Sequence, residues 1–195
     1  MSSLEKLRKI MKDENINYYI IPSSDFHQSE YVADYFKGRE FISGFTGSAG
    51  VLLVGLDDAF LWTDGRYFIQ AEKELEGSGI SLMKQRTPGY PSLEEWIEKN
   101  IKENECLAFD GEVFSINQYK TYLKLSKENK FNIKIDKDLL NNIWETRPSL
   151  PKDKIFLHNE KYCGKYAREK LKEVRAYMKE RNANSFILSL SLIHI

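Results

Sequence analysis

The chain has no net charge to set against a polyanion: 29 Lys and Arg residues stand beside 29 Asp and Glu. A chain-wide electrostatic case for nucleic acid or an anionic membrane is therefore missing. No apolar run approaches the roughly 20 residues that span a bilayer. The opening stretch, MSSLEKLRKIMKDEN, is charged throughout and lacks an apolar signal core. Cytoplasm is the expected compartment. Cysteine is scarce. Cys106 and Cys163 lie far apart, form no metal-type pair, and are expected to be reduced thiols. Histidine is scarce as well. His27 has no second histidine three to five residues on, and His158 is remote, so no metal site is expected.

Two further absences remove enzyme classes. Gly44, Gly47 and Gly50 sit among Ser43, Thr46 and Ser48, yet the lysine of a phosphate-binding loop is missing and no helix follows directly. Turns with positive φ explain these glycines better. Ser48, His27 and Asp64 supply the residue types of a triad, but nothing marks a nucleophile elbow. There are no internal repeats and no low-complexity tract.

What is present suffices for a core: 42% of residues are apolar, with 11 Phe and 11 Tyr. Leu4, Leu7, Ile10 and Met11 recur at helical spacing over Ser3–Glu14, and Ser2 with Glu5 has capping-box spacing. Asn17–Ile21 reads as a buried strand stopped by Pro22. A short helix is expected over Glu30–Phe36. Val51–Val54 and Ala59–Trp62, joined by Gly55-Leu56-Asp57-Asp58, read as a β-hairpin. The second strand feeds a helix that is expected to begin near Asp64. Strands follow at Ile80–Met83, Cys106–Phe109 and Phe131–Ile135. Helices follow from Ser92, from Ser115 and over Leu139–Trp144, the first two with capping-box partners Glu95 and Gln118. Strands interleaved with helices imply a three-layer α/β/α domain, and the hairpin makes its sheet mixed. Trp62, Trp96 and Trp144 lie on apolar faces and are assigned to the core.

The chemistry-bearing candidates cluster around the hairpin. Asp64 suits an N-cap, or a carboxylate that orients Arg66 by ion pairing. Arg66 follows Gly65, whose small size lets another surface approach. Its guanidinium can grip a peptide carboxylate or carbonyl with a planar fork of donors. His27, in Asp25-Phe26-His27-Gln28-Ser29-Glu30, is expected in a loop capped by Asp25 or Ser29.

Four strings occur in a fixed order: YIIPSSDFHQSEYVADYF, FISGFTGSAG, LWTDGRYFIQA and LMKQRTPGYPSLEEW. Together they resemble the amino-terminal domain of the creatinase/prolidase/aminopeptidase P superfamily, and more closely that of cytosolic three-domain Xaa-Pro aminopeptidases. The resemblance implies an RNase-H-like motif in the fold. It implies hydrolysis of the bond between an amino-terminal residue and a following proline. A separate carboxyl-terminal pita-bread domain would bind two metal ions, typically manganese, through two Asp, two Glu and a His; none of these can be assigned in this chain. The domain itself would be non-catalytic, inactive alone, shaping substrate access and packing against its catalytic domain. Arg66 matches the family's peptide-binding arginine, and His27 falls near the substrate entrance. A homodimer is implied as well.

Organisation along the chain follows from the prolines. Arg147-Pro148-Ser149-Leu150-Pro151 denies continuous helix or central strand and reads as a boundary. The expected units are a creatinase/prolidase-type domain over 1–147, a linker over 148–157, and the start of a second α/β domain over 158–188. In that last part Ala167, Leu171, Val174 and Met178 mark a helix, and Phe186–Leu188 begins a strand. The basic residues of Lys161–Arg181 fall mostly opposite that apolar stripe, as a solvated face does. Ser189–Ile195 departs from the family pattern and is expected to be non-native. A free-standing binding module, a prolidase or creatinase relative, and a nuclease using Asp64 and Asp110 are the rival readings.

Overall fold

The computed structural model describes residues 1–187, in two units, Met1–Pro151 and the residues from Lys152 onward. In the first unit the strands are β1 (Tyr18–Pro22), β2 (Val51–Gly55), β3 (Ala59–Thr63), β4 (Ser81–Lys84), β5 (Cys106–Phe109) and β6 (Asn132–Lys134). They form one sheet in the order β4-β3-β2-β1-β5-β6. The β1–β2 and β2–β3 pairs are antiparallel; β3–β4, β1–β5 and β5–β6 are parallel. The sheet is therefore mixed, as the hairpin implies. Pro22 ends β1 beyond Ile20, the last residue paired to β5, where its missing N–H costs no bond to that neighbour.

Side-chain alternation sorts each strand between two cores. Tyr19, Ile21, Leu52, Val54, Leu61 and Ala108 face one side. There they meet Leu4, Leu7 and Met11 of α1 (Ser3–Asp13), Ile42 of α2 (Gly38–Ser43) and Ala71 of α3 (Phe68–Glu74). Ile20, Leu53, Trp62, Leu107 and Phe109 face the other side. They pack on Leu93, Trp96 and Ile97 of α4 (Leu93–Asn100) and Tyr122 of α5 (Ile116–Asn129). Each fully buried Leu, Ile or Phe contributes about 1.5–3 kcal/mol, so neither layer is dispensable. Three helices begin on the capping boxes their spacing announces: Ser2 with Glu5, Ser92 with Glu95, and Ser115 with Gln118.

Several expectations need correction. Glu30–Phe36 and Leu139–Trp144 hold only short 3₁₀ turns, Asp34–Phe36 and Leu139–Asn142. Helix α2 had no counterpart in the sequence reading. The helix after the hairpin begins at Phe68, and its N-cap position is Tyr67, so Asp64 does not cap it. Trp62 and Trp96 are core, but Trp144 is only half-buried, stacked on Phe41 at 4.5 Å.

The second unit carries α6 (Glu160–Cys163) and α7 (Ala167–Glu180). Leu171 is exposed on α7, and Lys165 pairs with Glu173 at 2.5 Å. Phe186 and Ile187 have no regular structure, so the expected strand does not begin there. Leu188 and the Ser189–Ile195 tail lie outside the described residues. Cys106 is buried and Cys163 partly exposed; both are free thiols.

Candidate functional site

The three glycines of the loop between α2 and β2 do different work. Only Gly44, the C-cap of α2, has positive φ, at 73°. Gly47 serves close approach: a Cβ there would overlap the Phe45 ring and lie 2.9 Å from Tyr67 Cδ1. At Gly50 a Cβ would lie 2.9 Å from the carbonyl oxygen of Trp62. The turn explanation thus holds for Gly44 and gives way to packing at the other two positions.

Arg39, on α2, is buried at 5% exposure beneath this loop. Its Nε donates to Ser23 Oγ at 2.7 Å and its Nη1 to the Phe45 carbonyl at 2.9 Å. Its Nη2 donates to the Gly47 carbonyl. The guanidinium lies 4.7 Å from the Phe45 ring centroid. Desolvation pulls its pKa down to about 10, and it remains a cation at neutral pH. Across the loop, Glu74 of α3 accepts the Thr46 N–H and the Thr46 hydroxyl, both at 2.8 Å. Gln70 donates to Glu74 at 3.0 Å. Sequence reasoning missed both Arg39 and Glu74.

Beyond the clamped loop, Ser48 Oγ lies 2.7 Å from the Tyr67 hydroxyl. The Tyr67 ring meets Phe45 edge-on at 6.0 Å. The Arg66 guanidinium sits 5.3 Å from the Tyr67 centroid. Asp64 holds Arg66 with two side-chain bonds, 2.9 Å from Nε and 2.8 Å from Nη2, and accepts the Arg66 backbone N–H at 3.0 Å. That fork lowers the Asp64 pKa and raises that of Arg66. The Glu30 charge also raises it, as a smaller effect. Arg66 keeps 69% of its side chain exposed. It is therefore a surface cation already aimed, with Gly65 open beside it.

His27 is exposed in its own loop. Asp25 Oδ1 accepts the backbone N–H groups of His27 and Ser29, each at 2.9 Å, fixing the turn. Gln28 and Ser24 bond the Val113 carbonyl and anchor the loop over the end of β5. Among the described residues no hydrogen bond or ion pair joins the His27 ring to Ser48, Asp64 or Arg66. Ser48 and Asp64 bond Tyr67 and Arg66 instead, so the three residue types of a triad are not brought together. Asp64 and Asp110 end strands that stand three places apart in the sheet, about 14 Å at ordinary strand spacing. Two-metal chemistry needs its ions within about 4 Å, so the nuclease reading fails.

A mixed six-stranded sheet between two helical layers, with a clamped glycine loop beside an aimed arginine, defines the class of domain. The creatinase/prolidase N-terminal domain family matches residues 4–136, and a second family of the same description matches residues 146–192. The chain belongs to the creatinase/prolidase N-terminal domain family.

Its particular similarities are to Xaa-Pro aminopeptidases. Xaa-Pro aminopeptidase 1 of Dictyostelium discoideum is 42% identical, over 95% of this chain and 31% of its own length. A probable Xaa-Pro aminopeptidase P of Aspergillus flavus is 36% identical, over 96% of this chain and 29% of its own length. The X-prolyl aminopeptidase of Caenorhabditis elegans, a cytosolic enzyme with a di-nuclear active site, superposes with a TM-score of 0.78. It is 29% identical and covers 92% of this chain and 31% of its own. The N-terminal domain of the cytoplasmic peptidase PepQ from Mycobacterium tuberculosis shares the fold, with a TM-score of 0.55 at 22% identity. The chain thus spans about a third of the length of the curated relatives it matches.

A di-nuclear centre does not fit the residues described here. Among them no three His, Cys, Asp or Glu side chains gather to hold a metal. Nor is any described helix long and apolar enough to cross a membrane.

Proposed function

We propose that this chain serves as the amino-terminal part of a metal-dependent Xaa-Pro aminopeptidase, which removes an amino-terminal residue preceding proline. The observation that carries this is 42% identity to such an enzyme across 95% of the chain. On this reading the chain's own contribution is not bond cleavage. It packs against a catalytic domain that holds two metal ions, taken here as manganese. It narrows access so that short or flexible peptide ends enter and bulky ones do not. Arg66 contacts the peptide, Asp64 and Gly65 support it, and His27 lies at the entrance. The assembled enzyme works in the cytoplasm as a homodimer. No hydrolytic step is assigned to any residue of this chain.

Preorganisation supports the peptide-contact role. Asp64 has already fixed the Arg66 fork, so little rotamer freedom remains to be lost when a carbonyl or carboxylate arrives. A charge-assisted bond of this kind corresponds to roughly 10-fold or more in affinity. In a full-length enzyme carrying this domain, Arg66→Ala should lower kcat/KM for Xaa-Pro peptides by about that factor, chiefly through KM. The melting temperature should hold, because exposed pairs contribute little to stability. Unchanged kcat/KM would remove Arg66 from the peptide site.

A further inference from the structure

We propose that Arg39 is a positioning residue for Arg66, acting through the Phe45–Ser48 loop and the Tyr67 ring. The proposal rests on the reading of Arg66 as the peptide-facing cation.

A buried guanidinium is costly unless its donors are used. Arg39 spends its donors on neutral oxygens: the Ser23 hydroxyl and the carbonyls of Phe45 and Gly47. No ion pair to Arg39 exists among the described residues. Two carbonyls separated by one residue match the planar fork of arginine, and lysine has no such fork. The intervening residue, Thr46, turns its N–H the other way, to Glu74. The loop is therefore held at alternate residues from opposite sides, Arg39 beneath and Glu74 outside. A segment gripped in this way has little freedom to shift.

Ser48 is the next residue along. Its hydroxyl bonds the Tyr67 hydroxyl, and the absence of a side chain at Gly47 lets the Tyr67 ring close over the loop. Arg66 rests against that ring on one side and is forked by Asp64 on the other. Asp64 alone fixes the guanidinium relative to its own turn. Tyr67 fixes that turn relative to the loop, and Arg39 fixes the loop relative to α2 and the end of β1.

The test uses the 195-residue chain, isotopically labelled, and follows the Arg66 Nε–H resonance and the Tyr67 ring by NMR. Arg39→Lys keeps the charge and removes the fork. Ser48→Ala, on the surface, cuts only the link to Tyr67. In both variants the Arg66 signal should lose the ring-current shift that Tyr67 imposes on it and move toward that of an unstructured arginine, while its Nε–H, held by Asp64 within the same turn, should exchange at an unchanged rate. Sheet resonances should stay in place. An Arg66 signal unmoved in folded Arg39→Lys would overturn the proposal, since a purely structural arginine would alter stability alone. Should Arg39→Lys fail to fold, Ser48→Ala decides: an unmoved Arg66 signal there also overturns it. The measurement involves no peptide. Coupled signals alongside unaffected Arg66→Ala kinetics would sink the peptide contact and leave the clamp standing.

Discussion

Asp110 closes β5 and caps the 3₁₀ turn Gly111–Val113, its Oδ1 accepting the Glu112 N–H at 3.0 Å. Desolvation raises its pKa. Asp138 and Glu112 push the same way, against that capping bond and Arg147. The folded value thus lies above the unfolded one, near 3.9. At pH 7 the carboxylate is charged in both states, and folding carries the penalty. As pH falls through the raised folded value the penalty fades, and below about 3.9 it is gone. Asp110→Asn keeps an acceptor for Glu112 and removes the charge. It should raise the melting temperature at pH 7, with the gain closing by pH 3.5. Melts at the two pH values check this; an equal gain at both would assign the effect to packing. Residues differ in how far sequence exposes such roles. Asp64 and Arg66 stand two apart, so their pairing was legible. Arg39 was not, because its burial is decided by a loop that folds over it from Phe45–Gly47. Asp25 was half-legible: its turn is local, but burial opposes the N–H bonds of Ser29 and His27 that win and lower its pKa.

Elements were legible where their signals are local. A capping box joins residues three apart, and all three expected boxes formed. The strands were legible as short apolar runs, whereas the face each residue takes emerges only in the folded sheet. The failures were short pieces. Helix α2 has six residues between Lys37 and Gly44, too few for a hydrophobic period to show. It forms because tertiary packing of Ile42 and the Arg39 anchors override weak propensity. The glycine loop was misread for a related reason: positive φ is a local demand, whereas ring contact is a tertiary one. These demands separate experimentally. Gly44→Ala forces a side chain into left-handed backbone at a cost of about 1–2 kcal/mol, and Gly44→Asn should recover part of it. Gly47→Ala drives a methyl between Phe45 and Tyr67 at about 1–3 kcal/mol, and Gly47→Asn should be worse. Denaturant midpoints of the four variants decide. Asparagine rescue at Gly47 would mean that the loop's backbone, and not the two rings, sets that position.

At the scale of the whole first unit, closure depends on its last anchored residues. The Arg147 side chain, 10% exposed, donates from Nη1 to Asp138 and to Asn141, each at 2.6 Å, and from Nε to the Tyr35 carbonyl at 3.0 Å. Its guanidinium lies 3.9 Å from the Tyr35 centroid, and Trp144 stacks nearly parallel on Phe41. This knot ties the end of the unit to the turn before α2, a contact more than a hundred residues apart in sequence. The proline-rich boundary was legible from backbone restriction and left Arg147 as the last residue of the expected domain, but its partners Tyr35, Asp138 and Asn141 were not legible, because they come together only in the fold. Removing one partner from a nearly buried ion pair costs about 3–5 kcal/mol, which lowers the melting temperature of a domain this size by roughly 10 °C. A chain ended after Ile143 should therefore melt about that far below one ended after Pro151, and Arg147→Ala in the longer chain should account for most of the gap. If both chains melt together, Tyr19 holds this end of the fold unaided, through its bonds to the Lys137 carbonyl and the Leu139 N–H.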